Sequence, residues 1–174
     1  MRIRILAVCL FFFLQGSMLN SQIVKEYSPV SEKVEADLFE DAVRLIKRYE
    51  GWHHARDHPD YVGYGHRLLP TDTFRHDISE SFADSILRND LKQKCVVFRH
   101  LGMDSLLLGV LSFNVGENKV LRSKLIRKLK AGDRNVREEY LSFCHYKGKV
   151  VRSLKRRREE EYNLLVITTN LIHQ

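Results

Sequence analysis

The chain has 174 residues, 44% apolar and 29% charged, which is ordinary for a soluble globular protein and sets aside the disordered and fibrous classes. That length supports one domain, or one domain in two lobes, with a real core. A formal net charge of +7 points to a polyanionic partner. Charge alone does not choose between nucleic acid, anionic lipid and an acidic wall polymer.

The first residues read as an export signal. Met1 to Arg4 is a basic start, Ile5 to Leu14 is an apolar run, and Gly16, Ser17 and Ser21 are small residues near a cut. The run is too short to span a bilayer comfortably, so residues 1–21 are expected to be a cleaved signal peptide, with an uncleaved anchor as the minor alternative. The protein is then exported to the periplasm or the extracellular space. Residues 22–35, polar and carrying Ser28-Pro29, are expected to be a linker, and residues 36–174 the catalytic domain.

The first helix is predicted from Asp37, with Glu40 completing a capping box. Phe39, Val43 and Ile46 recur at helical spacing, with Leu38, Ala42, Leu45 and Tyr49 beside them. Glu50 continues the same series. It therefore points with the apolar stripe, at the helix end where the macrodipole disfavours negative charge. A carboxyl in that place needs a partner or a purpose.

Gly51 ends the helix, and Pro59, Gly63 and Gly65 punctuate a hairpin. Leu68 to Asp72 is a turn. Ser79 is the expected N-cap of a long helix reaching His100, with Ala83, Leu87, Leu91, Cys95 and Phe98 as its stripe. Asp104 is expected to cap a buried central helix over Ser105 to Val115. A basic helix spans Ser123 to Ala131, Asp133 is expected to cap another, and Lys147-Gly148 is a turn. The last helix runs from about Val151 to Val166. Its stripe of Val151, Leu154, Tyr162 and Leu165 contains Arg158, beside Arg157. The pairs Arg156–Glu160 and Arg157–Glu161 read as a solvated face. Arg158, if buried, needs a carboxylate, and Glu50 is the expected one.

Cys95 and Cys144 remain after the signal, and two buried thiols are favoured over a disulfide. His53, His54 and His58 resemble a metal cluster, but Gly51 and Pro59 break the helix that i,i+4 ligation needs, and no HExxH is present. No metal and no cofactor is expected. Gly63-x-Gly65 lacks the third glycine of a dinucleotide fingerprint. Lys155 to Arg158 is followed at once by Glu159 to Glu161, which neutralises it as a nucleic-acid site.

Five segments taken together resemble the phage-type lysozymes, glycoside hydrolase family 24. Leu45-Ile-Lys-Arg-Tyr-Glu-Gly51 is similar to the family's first helix with its catalytic glutamate. Tyr61-Val-Gly-Tyr-Gly-His66 is similar to its Thr-Ile-Gly-Tyr-Gly-His strand. Ser112-Phe-Asn-Val-Gly116 resembles its buried central helix. Ser123 to Asp133 resembles its Ser-x-Leu-x-x-Leu-Asn-x-Gly-Asp segment, and Arg157-Arg158-x-x-Glu161 its late helix.

The resemblance implies a mainly α (α+β) fold, with a small β-hairpin lobe and a larger helical lobe joined by a long helix. It implies a muramidase acting on peptidoglycan glycan strands; a monomer is expected, and the charge pattern and the signal lead us to expect no nucleic-acid partner and no stable membrane insertion after signal cleavage. Glu50 is then the general acid, which must hold a proton for the leaving oxygen. Tyr61, Tyr64 and His66 are the candidate substrate-binding residues on the cleft floor, and Arg157 and Arg158 the supporting cations.

One interval departs from the pattern. The stretch between the glutamate and the Gly-x-Gly-His segment is several residues shorter than in the family, and Tyr61 stands where the threonine is expected. Asp57 is the preferred second catalytic carboxylate and Asp60 the alternative. His54 or His58 is a further candidate for orienting water. Two other readings stay open: a lytic transglycosylase using Glu50 alone, and an inactive peptidoglycan-binding protein of the same fold.

Overall fold

The computed structural model describes residues 29–102 and 104–172. The expected signal peptide lies outside them. The chain divides into two units at Val34–Glu35, and of the first only residues 29–34 are described.

Helix α1 spans Pro29–Glu50. It starts earlier than the sequence suggested, so residues 29–35 are helical where a linker was expected. Asp37 and Glu40 therefore lie inside the helix and do not form a capping box. The Glu40 carboxylate pairs with Arg88, one of its bonds measuring 2.8 Å. Leu38, Ala42, Val43, Leu45 and Ile46 are buried at the predicted 3–4 spacing. The helix stops at Gly51, which sits at φ +65° while its N–H still bonds to the Lys47 carbonyl at 3.0 Å.

Strands β1 (Tyr61–Val62) and β2 (His66–Arg67) form an antiparallel hairpin, with Tyr61 opposite Arg67 and Val62 opposite His66. Val62 turns into the core at 1% exposure. The hairpin then docks on helix α2, Glu80–Val97. Gly63 makes the docking possible: a Cβ there would come 2.7 Å from the Ala83 Cβ, and its φ is +58°. Phe74 and Phe82 meet edge to face at 5.2 Å.

Helix α2 begins as expected, with the Ser79 hydroxyl accepting from the Phe82 N–H at 3.2 Å. Ala83, Leu87 and Leu91 are buried one turn apart. They pack along α3 (Asp104–Val115), where Leu107 to Ser112 are all buried. At their crossing Gly109 leaves room for the Cys95 thiol: a Cβ on Gly109 would lie 2.5 Å from Sγ. Burial pushes the Cys95 thiol up to about 11. Cys95 and Cys144 are both free thiols.

Helices α4 (Glu117–Leu121), α5 (Lys124–Lys130) and α6 (Arg137–Leu141) close the larger lobe. Ser123 caps α5 by accepting from Ile126 at 3.2 Å. Asp133 does not cap α6. Its carboxylate instead takes the Asn135 N–H at 2.8 Å and faces Lys128 at 3.2 Å, closing a local turn. Strands β3 (His145–Tyr146) and β4 (Lys149–Val150) follow. They are joined at Lys147 and Gly148, both with positive φ, as a two-residue hairpin turn requires. Helix α7, Arg152–Ile172, ends the described chain. No helix among the described residues is long and apolar enough to cross a membrane.

Candidate active site

Glu50 ends α1 with its side chain 18% exposed. Its carboxylate accepts from Arg157 Nη1 at 2.8 Å. Arg157, 4% exposed, is therefore the arginine that meets Glu50, rather than Arg158. Both project inward from α7 on consecutive residues, so their faces diverge by about 100°. Arg157 reaches the end of α1, whereas Arg158 reaches α3 and donates to Asn114 Oδ1 at 2.9 Å.

The expected solvated face divides in two. Arg156 and Glu160 do face water and bond at 2.9 Å. Arg157 and Glu161 do not: Glu161 is fully buried and accepts from Arg157 Nε at 2.8 Å. Arg158 Nη1 lies 3.0 Å from Glu161 Oε2, and the Tyr140 hydroxyl donates to the same oxygen at 2.9 Å. Arg158 Nη1 is poorly aligned for a hydrogen bond, so that contact is an ion pair. Burial raises the Glu161 carboxyl, with Arg158 and then Arg157 pulling it back down. Two arginines and two acidic residues thus form one connected cluster of Glu50, Arg157, Arg158 and Glu161. A buried ion network of this kind is a device for position more than for stability.

Across from Glu50 lies the hairpin. Gly65, at φ +94°, presents bare backbone to the acid: a side chain beginning there would meet His53 Cε1 at 3.4 Å, Phe113 at 3.6 Å and Glu50 Cγ at 3.7 Å. The His53 N–H donates to the Gly63 carbonyl at 2.8 Å, adding a third short rung beside β1. Its ring meets His58 edge to face at 4.5 Å and tilts against Tyr61 at 5.9 Å. Burial, followed by His58, lowers the His53 imidazole, while Glu50 and the Gly63 carbonyl pull it up.

The candidate substrate residues separate by exposure. Tyr61 is 41% exposed on the rim. Tyr64 is held from behind, with its hydroxyl bonding to Glu80 at 2.8 Å, Trp52 edge-on at 5.4 Å and Lys47 over the ring at 4.6 Å. His66 commits both ring nitrogens: Nδ1 is 2.7 Å from Asp90 and Nε2 3.2 Å from Asp72. Burial alone would lower this imidazole, but Asp90 and then Asp72 raise it overall. It ties the hairpin to α2 and has no free nitrogen for a sugar.

Asp57 lies on the loop surface, 53% exposed, 3.3 Å from Arg56 Nε. No described contact joins it to Glu50. Asp60 is exposed, and its carbonyl accepts from the Leu68 N–H at 2.9 Å. His54 is exposed and its carbonyl turns the loop by accepting from the Asp57 and His58 N–H groups. Among the described residues no three His, Cys, Asp or Glu side chains form a set able to hold a metal.

The phage lysozyme family model matches residues 47–161, from the last turn of α1 to Glu161. The chain belongs to the phage lysozyme family. The solved muramidase domain of SpmX from Asticaccaulis excentricus is 24% identical with a TM-score of 0.58, covering 72% of this chain and 95% of that one. The endolysin of Escherichia coli O157:H7 phage FAHEc1 is 20% identical with the same TM-score, covering 72% of this chain and 90% of that one. At these identities the likeness establishes the fold. No curated protein matches the chain.

In this lysozyme fold the residues that sequence reasoning passed over are Asn114, Glu161 and His53. Asn114 was signalled by its place in the Ser112 to Gly116 motif. Glu161 stood in the Arg157-Arg158-x-x-Glu161 motif but was assigned to solvent. His53 had no such signal, because its neighbours are set by the Gly63 bridge.

Proposed function

We propose that the protein is an exported muramidase that hydrolyses the β-1,4 bond between N-acetylmuramic acid and N-acetylglucosamine in peptidoglycan, with Glu50 as the general acid. The observation that carries this reading is the placement of Glu50. It is a carboxyl at a helix end, fixed from behind by the buried Arg157 and facing a bare glycine strand. A glycosidic oxygen laid along that strand meets an acid whose orientation is set before substrate arrives. The +7 charge suits an acidic wall, and the basic and apolar start of the chain suits export. The family's order points to Asp57 as the second group.

A lytic transglycosylase is the second reading. What favours it is Asp57 itself, which faces solvent on a shortened loop and leaves Glu50 without a carboxylate partner from that segment. Digestion of purified peptidoglycan by the protein and by Glu50→Gln, with mass analysis, separates the cases. Reducing muramic ends that vanish in Glu50→Gln support the muramidase. Anhydro ends support the transglycosylase. Intact glycan with retained binding would sink both.

A further inference from the structure

We propose that His53 is the second catalytic group of this site, the base that accepts a proton from the attacking water while Glu50 protonates the leaving sugar. The proposal rests on the hydrolase reading above and deepens it.

The first argument is position. His53 Cε1 and Glu50 Cγ both lie within 4 Å of the point where a Gly65 Cβ would stand, so acid and imidazole meet at the same hairpin turn. The His53 backbone is pinned to Gly63, in the same strand turn, at 2.8 Å. Carboxyl, imidazole and the Phe113 ring thus converge on one glycine of the hairpin. Asp57, by contrast, is turned into solvent beside Arg56.

The second argument is the state of the ring. Nδ1 is enclosed and has no hydrogen-bond partner. The Gly63 carbonyl is the polar backbone group that acts on the ring, and it pulls the imidazole up. His66, thirteen residues on in the sequence, shows the contrast: both its nitrogens are taken by aspartates. The groups facing His53 are Glu50 from α1, His58 from the loop, Tyr61 from β1 and the uncharged Phe113 from α3. Burial and His58 favour the neutral ring, which is the form able to take a proton.

The step balances. The Glu50 proton passes to the glycosidic oxygen as the bond from C1 to that oxygen breaks. A water oxygen bonds to C1, and the proton it loses goes to the His53 imidazole. The imidazolium, disfavoured by its enclosure, returns that proton to the Glu50 carboxylate. One water is consumed and both groups are restored. A single displacement of this kind inverts the configuration at C1.

The test uses the full chain on purified peptidoglycan, with wild type, Glu50→Gln, His53→Gln, His53→Ala and Asp57→Asn side by side. Wild-type release of reducing ends, lost in Glu50→Gln, establishes the reading on which the proposal rests. If wild type releases none, that reading and the proposal fall together. Given an active wild type, the expected result is that His53→Gln and His53→Ala lower kcat by about 10²–10⁴-fold with little change in KM. The acid limb of the pH–rate profile should vanish, sodium azide should restore turnover of His53→Ala, and the first product anomer should be inverted. His53 variants within threefold of wild type, or a loss that azide does not rescue and that tracks thermal unfolding, would overturn the proposal while leaving the hydrolase reading intact. So would retained configuration, or azide rescue seen in Asp57→Asn instead.

Discussion

Arg157 Nη1 donates to Glu50 Oε1 at 2.8 Å, joining two residues 107 positions apart in the chain. The same guanidinium gives its Nε–H to Glu161 and lies over the Tyr49 ring at 5.2 Å. One side chain thus fixes the acid, the last helix and the residue preceding the acid.

Arg157→Met removes the cation shared by two carboxylates, one of them fully buried. The loss should be about 3–5 kcal/mol, the range for breaking a buried pair by deleting one partner. Urea denaturation measures it. The pH–rate profile should also shift, because the charge nearest the acid has gone, and an unchanged profile refutes the functional pairing.

Tyr140→Phe deletes the hydroxyl that donates to Glu161 at 2.9 Å in a fully buried place. The expected loss is about 1.5–3 kcal/mol, since the bond is to a charged acceptor. Equal stability of the two proteins would mean that Arg157 and Arg158 satisfy Glu161 unaided.

His66 makes stability depend on pH. Its folded value is raised above that of the unfolded chain, so protonated His66 favours folding. That contribution is complete below the unfolded value of about 6.5 and is lost as pH rises through the elevated folded value. Thermal unfolding at stepped pH should show stability declining across this window, and His66→Asn should flatten the decline. A decline of the same size in His66→Asn would place its origin elsewhere.

Gly63→Ala should weaken the hairpin's seat on α2. The new methyl would fall 2.7 Å from the Ala83 methyl, at a backbone angle of φ +58° that alanine resists. Overpacking of this kind costs about 1–3 kcal/mol. Native-state hydrogen exchange should show faster exchange at Val62 and His66 before global unfolding. Uniform acceleration across the core would argue against a local seat.

Much of the helical frame was legible because its signals are local. Ser79 and Ser123 cap as their residue types demand, Gly51 stops α1, and Ala83, Leu87 and Leu91 write a stripe one turn apart. The capping box read at Asp37 and the cap read at Asp133 failed for a physical reason. A capping side chain competes with other partners, and Glu40 found Arg88 while Asp133 found Asn135 and Lys128. The choice between Arg157 and Arg158 was not legible either, since a turn of about 100° separates two inward faces and only the packing of α7 decides which meets α1. The loop from Gly51 to Asp60 carries no periodicity at all. Its histidines are sorted by one backbone bond, from His53 to Gly63, that no spacing announces.

The acid is made early in the chain and its counterion late. A nascent or proteolysed chain that stops short of Arg157 carries Glu50, the hairpin and α3, yet lacks the groups that hold the carboxyl in place. The Glu50 carboxyl therefore gains its partner only when almost the whole described fold has been laid down and α7 has docked.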